Sequence, residues 1–353
     1  MAVTEILNAH KNGLRLSTGD AIALYLDGDI LEVARLAADD AARRHGDTVT
    51  FVIDRNINYT NICKVGCKFC AFYCDHENEK AYVLTPEEIF SKVEEALALG
   101  ATQIMLQGGL NDRIKFDYYL DIVRGIKERF KITVHSFSPP EIAHMAELTG
   151  LGLREVLTRL QEAGLDSLPG GGAEILADRV RQEISPKKIT SAKWLEVMET
   201  AHGLGMKSTA TMMMGNIETL AERFAHLEKI RALQDQTGGF RAFIPWTYQP
   251  YNTELGGKKM SSYHYLKFLA VCRLYLDNFD HVQGSWVTQG PDIGQLTLTF
   301  GGRDLGSIML EENVVRAAGA EFRMQLQGMV DLIKNAGFKP AQRDTEYRII
   351  KRY

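Results

Sequence analysis

The chain has 353 residues, 45% of them hydrophobic, with 41 Lys and Arg against 45 Asp and Glu and a net charge of -4. That length and apolar content support a sizeable core, within the range where alternating strand–helix barrels form one domain. Neither sign of charge gathers into a long block, which argues against a nucleic-acid partner. The start mixes charge and polarity, and no apolar run approaches spanning length, so neither a secretory signal nor a membrane is expected and the cytoplasm is the expected location.

Residues 1–47 read as a helical lead-in, with apolar residues at helical spacing over 29–37. Short β-prone runs then alternate with amphipathic stretches, at 49–53, 102–106, 132–136, 167–169, 208–213, 240–246, 281–285 and 295–300. They predict an α/β fold, a TIM-like (βα)8-type parallel barrel over 48–303. One intervening helix opens Thr85-Pro86-Glu87-Glu88, where Thr85 caps, Pro86 suits the first turn and Glu88 reaches back. Another ends at Gly164. Residues 304–353 are expected to form a C-terminal helical extension of the same domain. Cys272 falls in an apolar helical stripe and reads as core.

Four of the five cysteines, Cys63, Cys67, Cys70 and Cys74, fall directly after the first predicted strand. Clustered cysteines with one outlier point to metal ligation in a reducing compartment rather than to disulfides. Three thiolates at C-x3-C-x2-C spacing can hold three corners of a [4Fe–4S] cube. Structural zinc is the rival, although its sites pair two separated knuckles and no second knuckle follows. With Cys74 as a fourth ligand the site would close, as in a plain electron carrier.

Phe69 completes a C-x3-C-x-Φ-C pattern, and here the chain resembles the radical S-adenosylmethionine enzymes. The resemblance implies a [4Fe–4S] cluster on Cys63, Cys67 and Cys70, with Cys74 free and the open iron chelated by the amino and carboxylate groups of S-adenosylmethionine. It implies reductive cleavage to a 5′-deoxyadenosyl radical, with the electron coming from a small redox protein. Phe69 would lie beside the cofactor. Gln107-Gly108-Gly109, after the second strand, corresponds to the turn that takes the cofactor's amino group in this family. After the fourth strand come Pro169-Gly170-Gly171-Gly172-Ala173-Glu174 and then Arg179. A carboxylate can accept both ribose hydroxyls and a guanidinium can clamp a carboxylate, which suits Glu174 and Arg179 to the cofactor; the bland alternative is a local ion pair.

Longer tracts resemble the menaquinone-pathway branch of the superfamily: Asn58 to Cys63, Ser167 to Ile175, Ser185-Pro186-Lys187-Lys188, Thr211 to Gly215, and Gln234 to Pro250. The implied activity is cyclisation of dehypoxanthine futalosine by removal of its C4′ hydrogen and attack on the benzoate ring; addition of the adenosyl group, as in aminofutalosine synthase, is the nearest alternative. Ser138, Gln249, Asp304, Glu312 and Asn313 are candidate substrate contacts, each also plausible as a cap or turn residue. Met212-Met213-Met214 reads as barrel core. His264 and His281 read as structural, which leaves the proton acceptor unassigned.

Overall fold

The computed structural model describes residues 1–353. Strand β1 (Thr48–Val52) bends at Ile53 and continues as β2 (Asp54–Ile57). Parallel pairing then runs from β2 to β3 (Gln103–Leu106) and β4 (Thr133–Val134). A second parallel series joins β5 (Ser167–Leu168), β6 (Lys207–Met214), β7 (Phe240–Thr247) and β8 (His281–Val282). Single parallel bridges, His135 to Ser167 and Gln283 to Asp304, link the two series to each other and to β9 (Asp304–Ser307), which returns to β1. With β1 and β2 taken as one bent strand, eight parallel strands close a barrel.

Helix starts follow local chemistry. Thr85 Oγ1 accepts the Glu88 N–H at 3.2 Å and Glu88 Oε2 accepts the Thr85 N–H at 2.7 Å, which satisfies two orphan donors at once. Helices Val3–Lys11, Thr18–Asp27 and Ile30–His45 pack with helix Ser262–Tyr275, where Cys272 is buried. No helix is long and apolar enough to cross a membrane.

The expected strand at 295–300 is instead a helix, Pro291–Leu296, followed by a single 3-10 turn at Thr297–Thr299. Pro291 sits at the first helical turn, and Thr297 Oγ1 donates back to Gly294 O at 2.5 Å; these local preferences override a short alternating pattern. The eighth strand lies further on, at β9, so the barrel extends past the expected boundary at 303. The C-terminal segment is also more than helical. After helix Leu326–Asn335, β10 (Lys339–Arg343) joins β1 in parallel and β11 (Ile349–Arg352) folds back on β10.

This hairpin lies at the N-terminal end of the barrel. Gln342 Nε2 donates to Gly100 O at 3.0 Å, and Arg343 grips Asp304 through Nε to Oδ2 at 2.6 Å and Nη2 to Oδ1 at 3.0 Å. The apolar core accordingly divides in two. One body lies around β1 to β5, and the other joins β6 to β8 with the N-terminal helices. Met212, Met213 and Met214 are all buried in the second. Between the two bodies the barrel interior is an open cavity lined by both polar and apolar side chains.

Candidate active site

A cavity of about 410 Å³ runs through the barrel interior from the cysteine loop to the C-terminal hairpin, within the size range of small-molecule sites. Cys63, Cys67 and Cys70 line one end of it, and Cys74 does not. Cys74 serves the stem of the loop instead: its N–H donates to Asn61 O at 2.9 Å and its carbonyl accepts the Cys63 N–H at 3.1 Å. The loop is tied down on further sides. Lys64 N donates to Leu110 O at 3.0 Å, Lys68 N to Ile184 O at 2.8 Å, and Leu110 N to Cys63 Sγ at 3.3 Å. Burial pushes the Cys67 thiol up to about 12, so loading a metal there must displace a proton.

Gln107, Gly108 and Gly109 line the same end. A Cβ on Gly109 would fall 2.1 Å from Ile62 O and 2.8 Å from Cys63 Cβ, and one on Gly108 would strike the Tyr59 ring at 2.5 Å. The paired glycines are therefore required for the turn to nest against the cysteine loop. Buried Glu141 fixes that turn, accepting from Gly108 N at 3.0 Å, Tyr59 OH at 2.7 Å and Ser138 N at 2.7 Å.

The glycine run after β5 crosses β6 closely, since a Cβ on Gly170 would meet Thr209 O at 2.6 Å. It leads to Glu174, whose backbone takes the left-handed φ of 41° and whose side chain lines the cavity. Glu174 Oε1 accepts from Lys188 Nζ at 2.5 Å, and Lys188 also sits over the Phe69 ring, 5.1 Å from its centroid. Burial alone would pull the Lys188 ammonium down, but Cys67 in its thiolate form and the Glu174 carboxylate raise it. Phe69 and Lys188 both line the cavity.

Arg179 is not brought there. It lies on helix Asp178–Ile184 with 53% of its side chain exposed, donating through Nε and Nη2 to both carboxylate oxygens of Glu222 at 2.7 Å each. That pair holds Glu222 at about 2. The helix turns Arg179 outward and its neighbour Arg181 inward, where Arg181 binds the carbonyls of Gly172 and Ala173. The cation beside Glu174 is Lys188.

Of the candidate substrate contacts, Ser138 and Glu312 line the cavity, and Gln249, Asp304 and Asn313 do not. Gln249 Nε2 donates to the carbonyls of Thr247, Tyr248 and Thr288 while its Oε1 is buried without a partner, Asp304 is spent on Arg343 and Thr50, and Asn313 on Asn58 and Glu311. Glu312 accepts N–H groups of Val314, Val315 and Arg316. Sequence reasoning missed Lys188, Asp54 and Arg241, which do line the cavity. For Asp54 a signal existed, a carboxylate directly after the apolar run Phe51-Val52-Ile53.

Residues 57–230 match the radical SAM superfamily, and residues 237–352 match the CofH/MqnC C-terminal region. The chain is 45% identical to the cyclic dehypoxanthine futalosine synthase of Halalkalibacterium halodurans, over 100% of this chain and 96% of that protein. It belongs to the radical S-adenosylmethionine superfamily. The aminodeoxyfutalosine synthase of Thermus thermophilus is 42% identical over 96% of this chain and 93% of its own length. A crystal structure of methylornithine synthase superposes with a TM-score of 0.76 at 19% identity, covering 95% of this chain and 97% of that one, a likeness of fold.

The cofactors of this superfamily member are a [4Fe–4S] cluster and S-adenosylmethionine, and the donor set fits them. Three thiols share one end of the cavity, yet no three His, Cys, Asp or Glu side chains converge tightly enough for a single ion. A cube takes one thiolate per corner and so asks for ligands spread around it, whereas tetrahedral zinc gathers its ligands on one point.

Proposed function

We propose that this radical S-adenosylmethionine enzyme converts dehypoxanthine futalosine to cyclic dehypoxanthine futalosine, a carbon–carbon bond-forming step in the futalosine route to menaquinone. The observation that carries this reading is 45% identity to the Halalkalibacterium halodurans synthase across the whole chain, the C-terminal region included. Cys63, Cys67 and Cys70 hold the cluster, and a small redox protein delivers its electron. Phe69, the Gln107–Gly109 turn and Glu174 receive S-adenosylmethionine, with Lys188 in the cationic role first assigned to Arg179. When bound, these groups supply one-electron hydrogen abstraction.

The chain's own residues then confine and complete the reaction. The walls exclude water from a carbon radical formed at C4′ of the substrate while it closes on the benzoate ring. Restoring aromaticity releases an electron, which a one-electron acceptor such as the oxidised redox protein takes, and a proton. Asp54 Oδ1 takes that proton: the carboxyl is buried on the cavity wall, Oδ2 accepts from Gln103 Nε2 at 2.6 Å, and Oδ1 has no partner. Burial raises the Asp54 pKa, which makes it a stronger base than an exposed carboxylate.

Anaerobic reconstitution with iron and sulfide, followed by dithionite, S-adenosylmethionine and dehypoxanthine futalosine, tests the reading by mass spectrometry. The expected products are 5′-deoxyadenosine and a compound two hydrogens lighter than the substrate. A product that retains the adenosyl group would move the enzyme to the aminodeoxyfutalosine synthase reaction. Asp54→Asn is expected to keep forming 5′-deoxyadenosine while the cyclic product falls.

A further inference from the structure

The far end of the cavity holds two guanidinium groups in different states. Arg343 is saturated by its bidentate grip on Asp304. Arg241, on β7, pairs through Nη1 with Glu346 of the C-terminal hairpin, while its Nε and Nη2 have no partner although both are sealed from solvent. Its side chain is only 9% exposed and lines the cavity. Nε and Nη2 form one edge of the guanidinium, with two parallel N–H groups spaced for the two oxygens of a carboxylate. Buried donors left in this state are costly, and a ligand acceptor offsets that cost.

We propose that the unpartnered Nε–Nη2 edge of Arg241 is a carboxylate-binding subsite at the cavity floor, which holds an aromatic carboxylate with its ring directed up the barrel. The proposal rests on the cyclase reading for the identity of that ligand, the benzoate of dehypoxanthine futalosine. Ile244 and Trp246 line the cavity further along the same strand, an apolar wall next to the cationic floor. A ligand charged at one end and flat and apolar behind it matches both. A second cation would not satisfy the edge, because a guanidinium donates only, and a lone hydroxyl offers one oxygen where two parallel N–H groups are presented. Anchoring the carboxylate at the floor sets how far the ring stands from C4′, so Arg241 fixes register as well as affinity.

The test is calorimetry on the reconstituted enzyme with dehypoxanthine futalosine and with its carboxamide analogue. Wild type is expected to prefer the carboxylate on the order of 100-fold, and Arg241→Gln to lose that preference while binding the carboxamide as wild type does. Glu346→Gln, which leaves the free edge intact, is expected to keep it. Should Arg241→Gln fail to fold, Arg241→Lys carries the comparison, since a point charge retains part of the preference but not a two-point grip. Equal losses for both ligands, or a preference changed by less than about threefold, the scale of an exposed pair, overturn the subsite. Should wild type leave dehypoxanthine futalosine unchanged, the cyclase reading fails separately. Titration with 3-acetylbenzoate against 3-acetylbenzamide then decides the subsite: a carboxylate preference abolished by Arg241→Gln sustains it, and no preference removes it.

Discussion

Replacing Lys188 by methionine keeps the length of the side chain and removes its charge, leaving Glu174 buried without its partner. The pair is separated by 2.5 Å, with 12% and 6% of the two side chains exposed, so solvent screens it little. Breaking a buried pair from one side costs about 3–5 kcal/mol. Water entering from the cavity lowers the loss towards about 3 kcal/mol, and the Phe69 contact contributes about 0.5–1 kcal/mol of it. Urea unfolding of the cluster-free protein measures this for Lys188→Met, Glu174→Gln and the double variant. The double variant is expected to be more stable than the sum of the singles by at least about 1 kcal/mol, because the second change removes the charge the first left stranded. Strictly additive effects, or a Lys188→Met loss under about 1 kcal/mol, would refute the pairing as the feature that holds Glu174 in place.

Cys67→Ser is expected to abolish both cluster absorbance and turnover after reconstitution, whereas Cys74→Ser, outside the cavity wall, is expected to retain both. Gly109→Ala should lower iron content more than it lowers thermal stability: its Cβ would come within 2.1 Å of Ile62 O, and the displacement, costing about 1–3 kcal/mol, falls on the cysteine loop. Arg179→Ala should change stability by less than about 1 kcal/mol and leave S-adenosylmethionine affinity unchanged in a binding titration, since its pair with Glu222 is on the surface. Stability should fall as pH drops from about 6.5 towards 3, because burial holds His226 at about 3 while its Nδ1 accepts the Leu176 N–H at 3.0 Å. The unfolded chain takes up the proton through that range and the folded chain does not, so at pH 5 His226 alone accounts for about 2 kcal/mol of loss. Urea midpoints across pH should show a shallower slope in His226→Gln, and matching slopes would contradict the assignment.

The cysteine spacing, the paired glycines after the second strand and seven of the eight barrel strands were legible because each depends on neighbours a few residues apart. Chain direction along a strand and the reach of a short loop decide which thiols can share a cluster, so the spacing over 63–70 already pointed to an iron–sulfur site. Local pattern misled at 295–300, where alternation suggested a strand but Pro291 and the Thr297 hydroxyl favour helical turns. It also concealed β10 and β11, whose charged residues have weak β propensity; β10 pairs with β1 from the opposite end of the chain, and β11 pairs only with β10.

By itself the sequence determined the barrel class and the family, and its spacing pointed to Cys63, Cys67 and Cys70 as candidate cluster ligands. Tertiary structure decided which ionisable groups face the cavity. Helix rotation sends Arg179 to solvent and turns Arg181 towards the glycine loop, the loop after that helix brings Lys188 to Glu174, and the C-terminal hairpin meets Arg241 through Glu346 while Arg343 meets Asp304. The hairpin pairings join segments 39 and 105 residues apart, and the Arg181 and Lys188 contacts cross irregular loops; all are set when the barrel closes and a buried charge must find its partner, and no helix or strand spacing encodes them.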